Sequence, residues 1–109
     1  MNTKSVSVGI PTCYGGDSLP KVVQSIRASV SIKIDRIIIM ADSEPIPEKI
    51  MRELRYIGAK IFWNNVPSNY SNKVKQIFEL CDSDILILTC DDVIFDPRAV
   101  REIISEFEK

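Results

Sequence analysis

Four short β-rich runs alternate with four stretches whose apolar residues recur at helical spacing, and no other feature constrains the fold as tightly. The first run, Val6 to Ile10, breaks at Pro11. Leu19, Val22, Val23 and Ile26 then follow the i, i+3, i+4, i+7 pattern of a helix with one apolar stripe. Asp17 or Ser18 can cap that helix, and Pro20 falls in its first turn, where a missing N–H is tolerated. Arg36 to Ala41 is a nearly continuous apolar run, as expected of a strand covered on both faces. The next helix opens near Pro47, turns Ile50, Leu54 and Ile57 to one side, sets Glu48 and Arg52 as an i,i+4 pair, and stops at Gly58.

Lys60 to Trp63 reads as the third and shortest strand, close to a sheet edge; Trp63 and Tyr70 are candidates to stack on a base, with strand packing the favoured reading for Trp63. Val74, Ile77, Phe78 and Cys81 form a third helical stripe, which makes Cys81 a buried thiol. Ile85 to Thr89 is the fourth strand. Asp96 followed by Pro97 reads as an N-cap and first helical residue, and Val100, Ile103, Ile104 and Phe107 supply the apolar face of the last helix. Strands alternating with helices at this spacing imply right-handed crossovers and a mostly parallel sheet. The expected fold is a three-layer α/β sandwich with strand order 3-2-1-4, built as one domain over residues 1–109.

Composition narrows the chemistry. The net charge is −1, so no broad basic field exists to attract nucleic acid or anionic lipid, and no nucleic-acid partner is expected. Histidine is absent, and the three cysteines, Cys13, Cys81 and Cys90, show no Cys-x-x-Cys spacing. A Cys/His zinc site and a Ser-His or Cys-His nucleophile are therefore disfavoured. Free thiols, no recognisable secretory signal and no apolar run long enough to span a bilayer together point to the cytoplasm.

In open α/β sheets, ligands bind beyond the carboxyl ends of the strands. Here those ends lead into Pro11-Thr12-Cys13-Tyr14-Gly15-Gly16-Asp17, Asp42-Ser43-Glu44, Asn64-Asn65 and Cys90-Asp91-Asp92. One rim would thus gather Thr12, Asp42, Asn64 and Asp92. Adjacent carboxylates after a buried strand repel each other, and magnesium or manganese would relieve that repulsion while bridging to a diphosphate. The plainer reading is two loop acids, one of which caps a turn. Asp42 likewise reads either as a turn former or as an acceptor for a base or ribose. Lys73 and Lys75 open the third helix, where either is a phosphate partner or a solvated lysine. Gly15-Gly16 carries no phosphate-loop pattern.

Three segments in register resemble the N-terminal half of a family 2 glycosyltransferase with the GT-A fold. That family opens with a strand ending in Ile-Pro-Thr-Tyr/Cys-Asn, against Ile10-Pro11-Thr12-Cys13-Tyr14 here. Its second strand reads Ile-Ile-Val-Val-Asp-Asp-Gly-Ser, against Ile38-Ile39-Met40-Ala41-Asp42-Ser43. Its fourth runs into an Asp-x-Asp metal motif and then Asp-Pro, against Cys90-Asp91-Asp92 and Asp96-Pro97.

The resemblance implies a module that binds a nucleotide-diphosphate sugar, most simply of the UDP type, through a divalent manganese or magnesium ion. Pro11, Thr12 and Cys13 would line the nucleotide site with Asn64 and Lys73. Asp42 would face the uracil or ribose, Asp91 the ribose or sugar, and Asp92 the metal. Cys90 stands where the family has its first motif Asp, and Ala41 where it has the first Asp of the second segment. Family members continue into an acceptor-binding half that carries the catalytic base, so full transfer by these 109 residues alone is not expected. The competing reading is a non-catalytic binding or assembly module that forms a homodimer or pairs with another chain.

Overall fold

The structure, a computed structural model, describes residues 4–13, 18–30, 32–42, 45–64 and 68–107. Its elements run β1 (Val6–Thr12), α1 (Ser18–Arg27), β2 (Arg36–Asp42), α2 (Glu48–Ile57), β3 (Ala59–Asn64), α3 (Tyr70–Leu80), β4 (Ile85–Leu88) and α4 (Ala99–Phe107). The strands form one parallel sheet in the order β3-β2-β1-β4, with Gly9 level with Ile38 on one side and Leu88 on the other. The expected topology and three-layer α/β class are therefore the observed ones.

Side-chain alternation assigns the two faces. Val6, Val8 and Ile10 of β1, Ile37 and Ile39 of β2, and Ala59 of β3 point to one side, where they pack with the buried stripes of α1, α2 and α4. Ile38 and Met40 point to the other, where α3 covers them with Ile77. On that second face β1 contributes only Ser7, Gly9 and Pro11, which leaves room for the helix. A Cβ on Gly9 would lie 2.6 Å from Ile77 Cγ2, so glycine is what lets α3 approach β1 this closely.

Several local expectations are corrected. β1 continues through Pro11 to Thr12. β4 ends opposite Gly9, so beyond that point β1 has a free side on which a proline forfeits no ladder bond. β3 has six residues, and the shortest strand is instead β4 with four, which stops at Leu88 rather than Thr89. β3 does lie at the edge, and Trp63 is half-exposed there. α4 begins at Ala99, because Asp96 closes a turn before the helix: its side chain accepts from Arg98 N at 2.8 Å and its carbonyl from Ala99 N. Cys81 is partly exposed just past the end of α3.

The inward face of α3 is also rotated relative to its apolar stripe. Lys73 and Ile77, one turn apart, are the buried residues, and Phe78 is exposed. The α1 and α2 readings hold: Pro20 is in the first turn of α1, and Gly58 ends α2 with φ of 93°. Such a left-handed residue favours glycine. Arg27, closing α1, donates to the carbonyls of Ile57, Gly58 and Ile34 and ties the two helix ends together. Arg52 and Glu48 pair at 3.5 Å on the exposed side of α2. Asp17 lies outside the described residues.

Candidate functional site

All four strands point their carboxyl ends at one rim, so the residues that follow them are neighbours through topology alone. Two groups form there. The first centres on Asp91. Thr12, the last residue of β1, donates through Oγ1 to Asp91 Oδ2 at 2.5 Å, and Ser18, the first residue of α1, donates through Oγ to the Asp91 carbonyl at 2.9 Å. Thr12 is buried, Asp91 is partly exposed, and Asp92 is exposed beside it. The two adjacent acids are therefore held differently: Asp91 is turned against the end of β1, and Asp92 faces solvent.

The second group centres on Asp42, at the end of β2 and 1% exposed. Its Oδ1 meets Lys73 Nζ at 2.6 Å, and its Oδ2 accepts from the backbone N–H of Ser68. Lys73 is 5% exposed. Burial acts most strongly on the Asp42 carboxyl and pushes its pKa up. The Lys73 ammonium and the Ser68 N–H together outweigh it, holding the carboxyl below its ordinary value. The pair pins the start of α3 to the sheet, where Asn69 also caps the helix by accepting from Asn72 N at 2.7 Å.

The alternation places these groups on opposite sides of the sheet. Asp42 follows Ile38 and Met40 onto the α3 face, while Thr12 follows Val8 and Ile10 onto the α1 face. Thr12, which holds Asp91, and Asp42 therefore lie at the ends of adjacent strands but on opposite faces of the sheet. No direct contact joins the two acids among those described.

The remaining candidates fall around these groups. Pro11 is buried beneath the rim, Cys13 is exposed just past β1, and Cys90 is exposed before Asp91. Asn64, at the end of β3, exchanges side-chain hydrogen bonds of 3.0 and 3.2 Å with Gln76 of α3 rather than joining the Asp42 pair. Lys75 is exposed and away from that pair's buried position. Tyr14, Gly15, Gly16, Ser43, Glu44 and Asn65 lie outside the described residues.

Sequence reasoning had not singled out Ser68 or Gln76. Ser68 acts through its backbone N–H, which carries no sequence signal, but Gln76 lies one turn after Lys73 and was findable as its helical neighbour. Among the described residues no three Cys, Asp or Glu side chains converge to enclose a metal. This donor set suits magnesium or manganese, which take one or two carboxylates and complete their shell with water and phosphate oxygens.

A parallel α/β sheet gathers its loop residues at the carboxyl rim, the place where open sheets of this kind hold ligands. The chain belongs to glycosyl transferase family 2, whose model matches residues 7–109. A search of curated protein sequences finds no match. Among solved structures the fold is similar to that of S. aureus TarS, with a TM-score of 0.80 and 11% identity over 95% of this chain. A 1–349 portion of TarS in complex with UDP gives the same TM-score and identity. M. tuberculosis glucosyl-3-phosphoglycerate synthase, crystallised with Mn2+, UDP and glucosyl-3-phosphoglycerate, matches with a TM-score of 0.75 and 15% identity over 96% of this chain. The chain spans 19% of the TarS chain and 40% of the synthase chain, and the neighbours share its GT-A, Rossmann-like sheet. No helix among the described residues is long and apolar enough to cross a membrane.

Proposed function

We propose that the chain is a nucleotide-sugar-binding module that takes a nucleotide-diphosphate sugar of the UDP type across the end of β1. The observation that carries this reading is the split rim: a buried Asp42–Lys73 pair on one side of β1 and the Asp91-Asp92 acids on the other, in a family 2 chain. UDP in the TarS complex and UDP with Mn2+ in the synthase complex support the ligand class.

Each residue then has a role. Asp42 and Lys73, buried and paired with each other, shape the base or ribose side of the cleft from beneath. Pro11, Thr12, Cys13 and Asn64 line the cleft. Asp91, oriented by Thr12 and Ser18, faces the ribose or sugar. Asp92 holds a manganese or magnesium ion, which when bound offsets the charge of the diphosphate. The acceptor side and a catalytic base are not among these residues, so the proposed activity of the isolated chain is donor binding rather than multiple-turnover transfer.

Calorimetric titration of UDP, with and without manganese, tests this on wild type, Asp92→Asn and Asp91→Asn. Wild type should bind in a manganese-dependent way. Asp92→Asn should lose at least about tenfold in affinity, because an amide is a poor ligand for a hard cation. A larger loss in Asp91→Asn than in Asp92→Asn would move the metal role to Asp91. Absence of wild-type binding would reject the proposal.

A further inference from the structure

The two edges of the sheet differ in a way that concerns partners rather than nucleotide. The outer side of β4 is short and bounded by acids, with Asp82 and Asp84 before it and Asp91 and Asp92 after it. Antiparallel pairing of two such edges would set acid against acid, which opposes association. β3 is longer, and its sequence from Ala59 to Asn64 holds one charge, Lys60.

The surroundings of β3 are hollowed on both faces, although α2 packs against one of them. α3 packs over β1 and β2 and leaves β3 overhanging, so a cleft of about 320 Å³ lies beside Phe62, with Asn64, Gln76, Glu79 and Leu80 in its walls. On the opposite face a smaller apolar pocket of about 130 Å³ is formed by Pro45, Ile46, Met51, Ile61 and Trp63. Trp63 is 49% exposed on this edge. Trp63 is thus a half-exposed aromatic on an unpaired strand, beside an apolar hollow, on a surface that a partner strand can cover.

We propose that β3 pairs antiparallel with β3 of a second copy of this chain, joining two four-stranded sheets into one of eight strands. The sequence of β3 is self-complementary in one register. A twofold axis normal to the sheet keeps like faces together only if it is centred on a residue, because side chains alternate. Centred on Phe62, it sets Phe62 against Phe62 of the second copy on the α3 face. On the other face Ile61 meets Trp63 of the second copy, twice, at the mouth of the smaller pocket.

The same register answers the one charge on the strand. Lys60 lies opposite Asn64 of the second copy, on the face that carries the cleft with Glu79 in its wall. Its ammonium then has the exposed Glu79 carboxylate of the second copy within reach, again twice by symmetry. Centring on Ile61 instead would set Lys60 against Phe62 and Trp63 against Ala59, losing both the aromatic pair and the charge complement. A lone strand lysine ordinarily guards an edge; here the facing surface carries its counter-charge.

The experiment is sedimentation velocity on the 109-residue chain over a dilution series, without nucleotide or metal, so it is independent of the donor-binding proposal. Trp63 is the only tryptophan, and its emission reports directly on this edge. The dimer mass should appear at high concentration, with emission moving to shorter wavelength in step. Lys60→Glu alone, or Glu79→Lys alone, should weaken association by about tenfold, since repulsion replaces attraction at two symmetric positions. The double swap should restore it. Both residues are exposed, so folding should be preserved, as circular dichroism will check. A monomer at every concentration overturns the proposal. So does a dimer that ignores the charge swap and leaves Trp63 emission unchanged.

Discussion

The two faces of the sheet are closed by different means. One carries three helices and a contiguous cluster of aliphatic side chains drawn from every strand. The other carries, among the described residues, α3 alone, with three buried apolar residues and a buried ion pair in place of further hydrocarbon. The first face is held by non-directional burial, which tolerates small errors of fit. The second is held by specific contacts, namely Gly9 under Ile77, Lys73 on Asp42, and Asn69 at the helix start. Those contacts also fix one side of the proposed donor site, so the thinly covered face is where stability and function share residues.

The comparison is broken most severely by Lys73→Met. Removing one partner of a buried pair leaves Asp42 charged without its cation, and the expected loss is about 4 kcal/mol. The pH dependence should change sign as well. In wild type the Asp42 pKa is lowered, so its contribution is complete above the ordinary value of 3.8 and fades as pH falls through the lower folded value. In Lys73→Met, burial dominates and raises the pKa, so acidification should restore stability. Urea denaturation at several pH values measures both slopes.

Next in size is Ile39→Ala on the three-helix face, expected to cost about 3 kcal/mol because its neighbours from several elements cannot all collapse into the space. Met40→Ala, one residue along and on the α3 face, should cost less, since that side is open enough to relax or admit water. Equal losses in chemical denaturation would show that the two faces are equally well packed. Gly9→Ala is expected to cost about 2 kcal/mol by pushing α3 outward, and Ile77→Leu in the same chain, which removes the γ2 methyl that the new Cβ meets, should recover part of it.

The same contrast explains what the sequence discloses. On the three-helix face the stripes of α1 and the alternation of Val6, Val8 and Ile10 are hydrophobic patterns, and pattern is what a sequence carries. Strand order followed, as did the common rim, but not the grouping of Thr12, Asp42, Asn64 and Asp92: Thr12 meets Asp91, Asp42 meets Lys73, Asn64 turns to Gln76, and Asp92 is exposed. On the α3 face the pattern misleads: Phe78 continues an apolar stripe yet is exposed, and Lys73 breaks it yet is buried. The cause is a tertiary ion pair, and a lysine's need for a carboxylate two elements away leaves no periodic trace. Asp42 was legible as a rim acid by its place after β2, but not as a residue whose two oxygens are already engaged. Asp96 and Pro97 misled for a similar reason, since a capped turn and a capped helix begin with the same residues.

The smallest effect offers the sharpest reading of the comparison. Asn69 accepts from Asn72 N at the start of α3, and Asn69→Ala removes that cap for about 1 kcal/mol. If α3 opened only when the whole domain unfolds, this loss would lower the protection of every slowly exchanging amide equally. The single-helix face argues otherwise. α3 is joined to the sheet chiefly by Ile77 and the Lys73–Asp42 pair, while the sheet keeps its other face closed by three helices when α3 lifts. Hydrogen exchange should therefore show faster exchange in α3 than in β1 and β2 already in wild type. Asn69→Ala should accelerate α3 severalfold further while changing the strands less, and Asn69→Asp should leave it near wild type because aspartate caps as well. Uniform acceleration across α3 and the strands would mean that the two faces open together, and the division drawn between them would then be one of composition, with no counterpart in how the molecule comes apart.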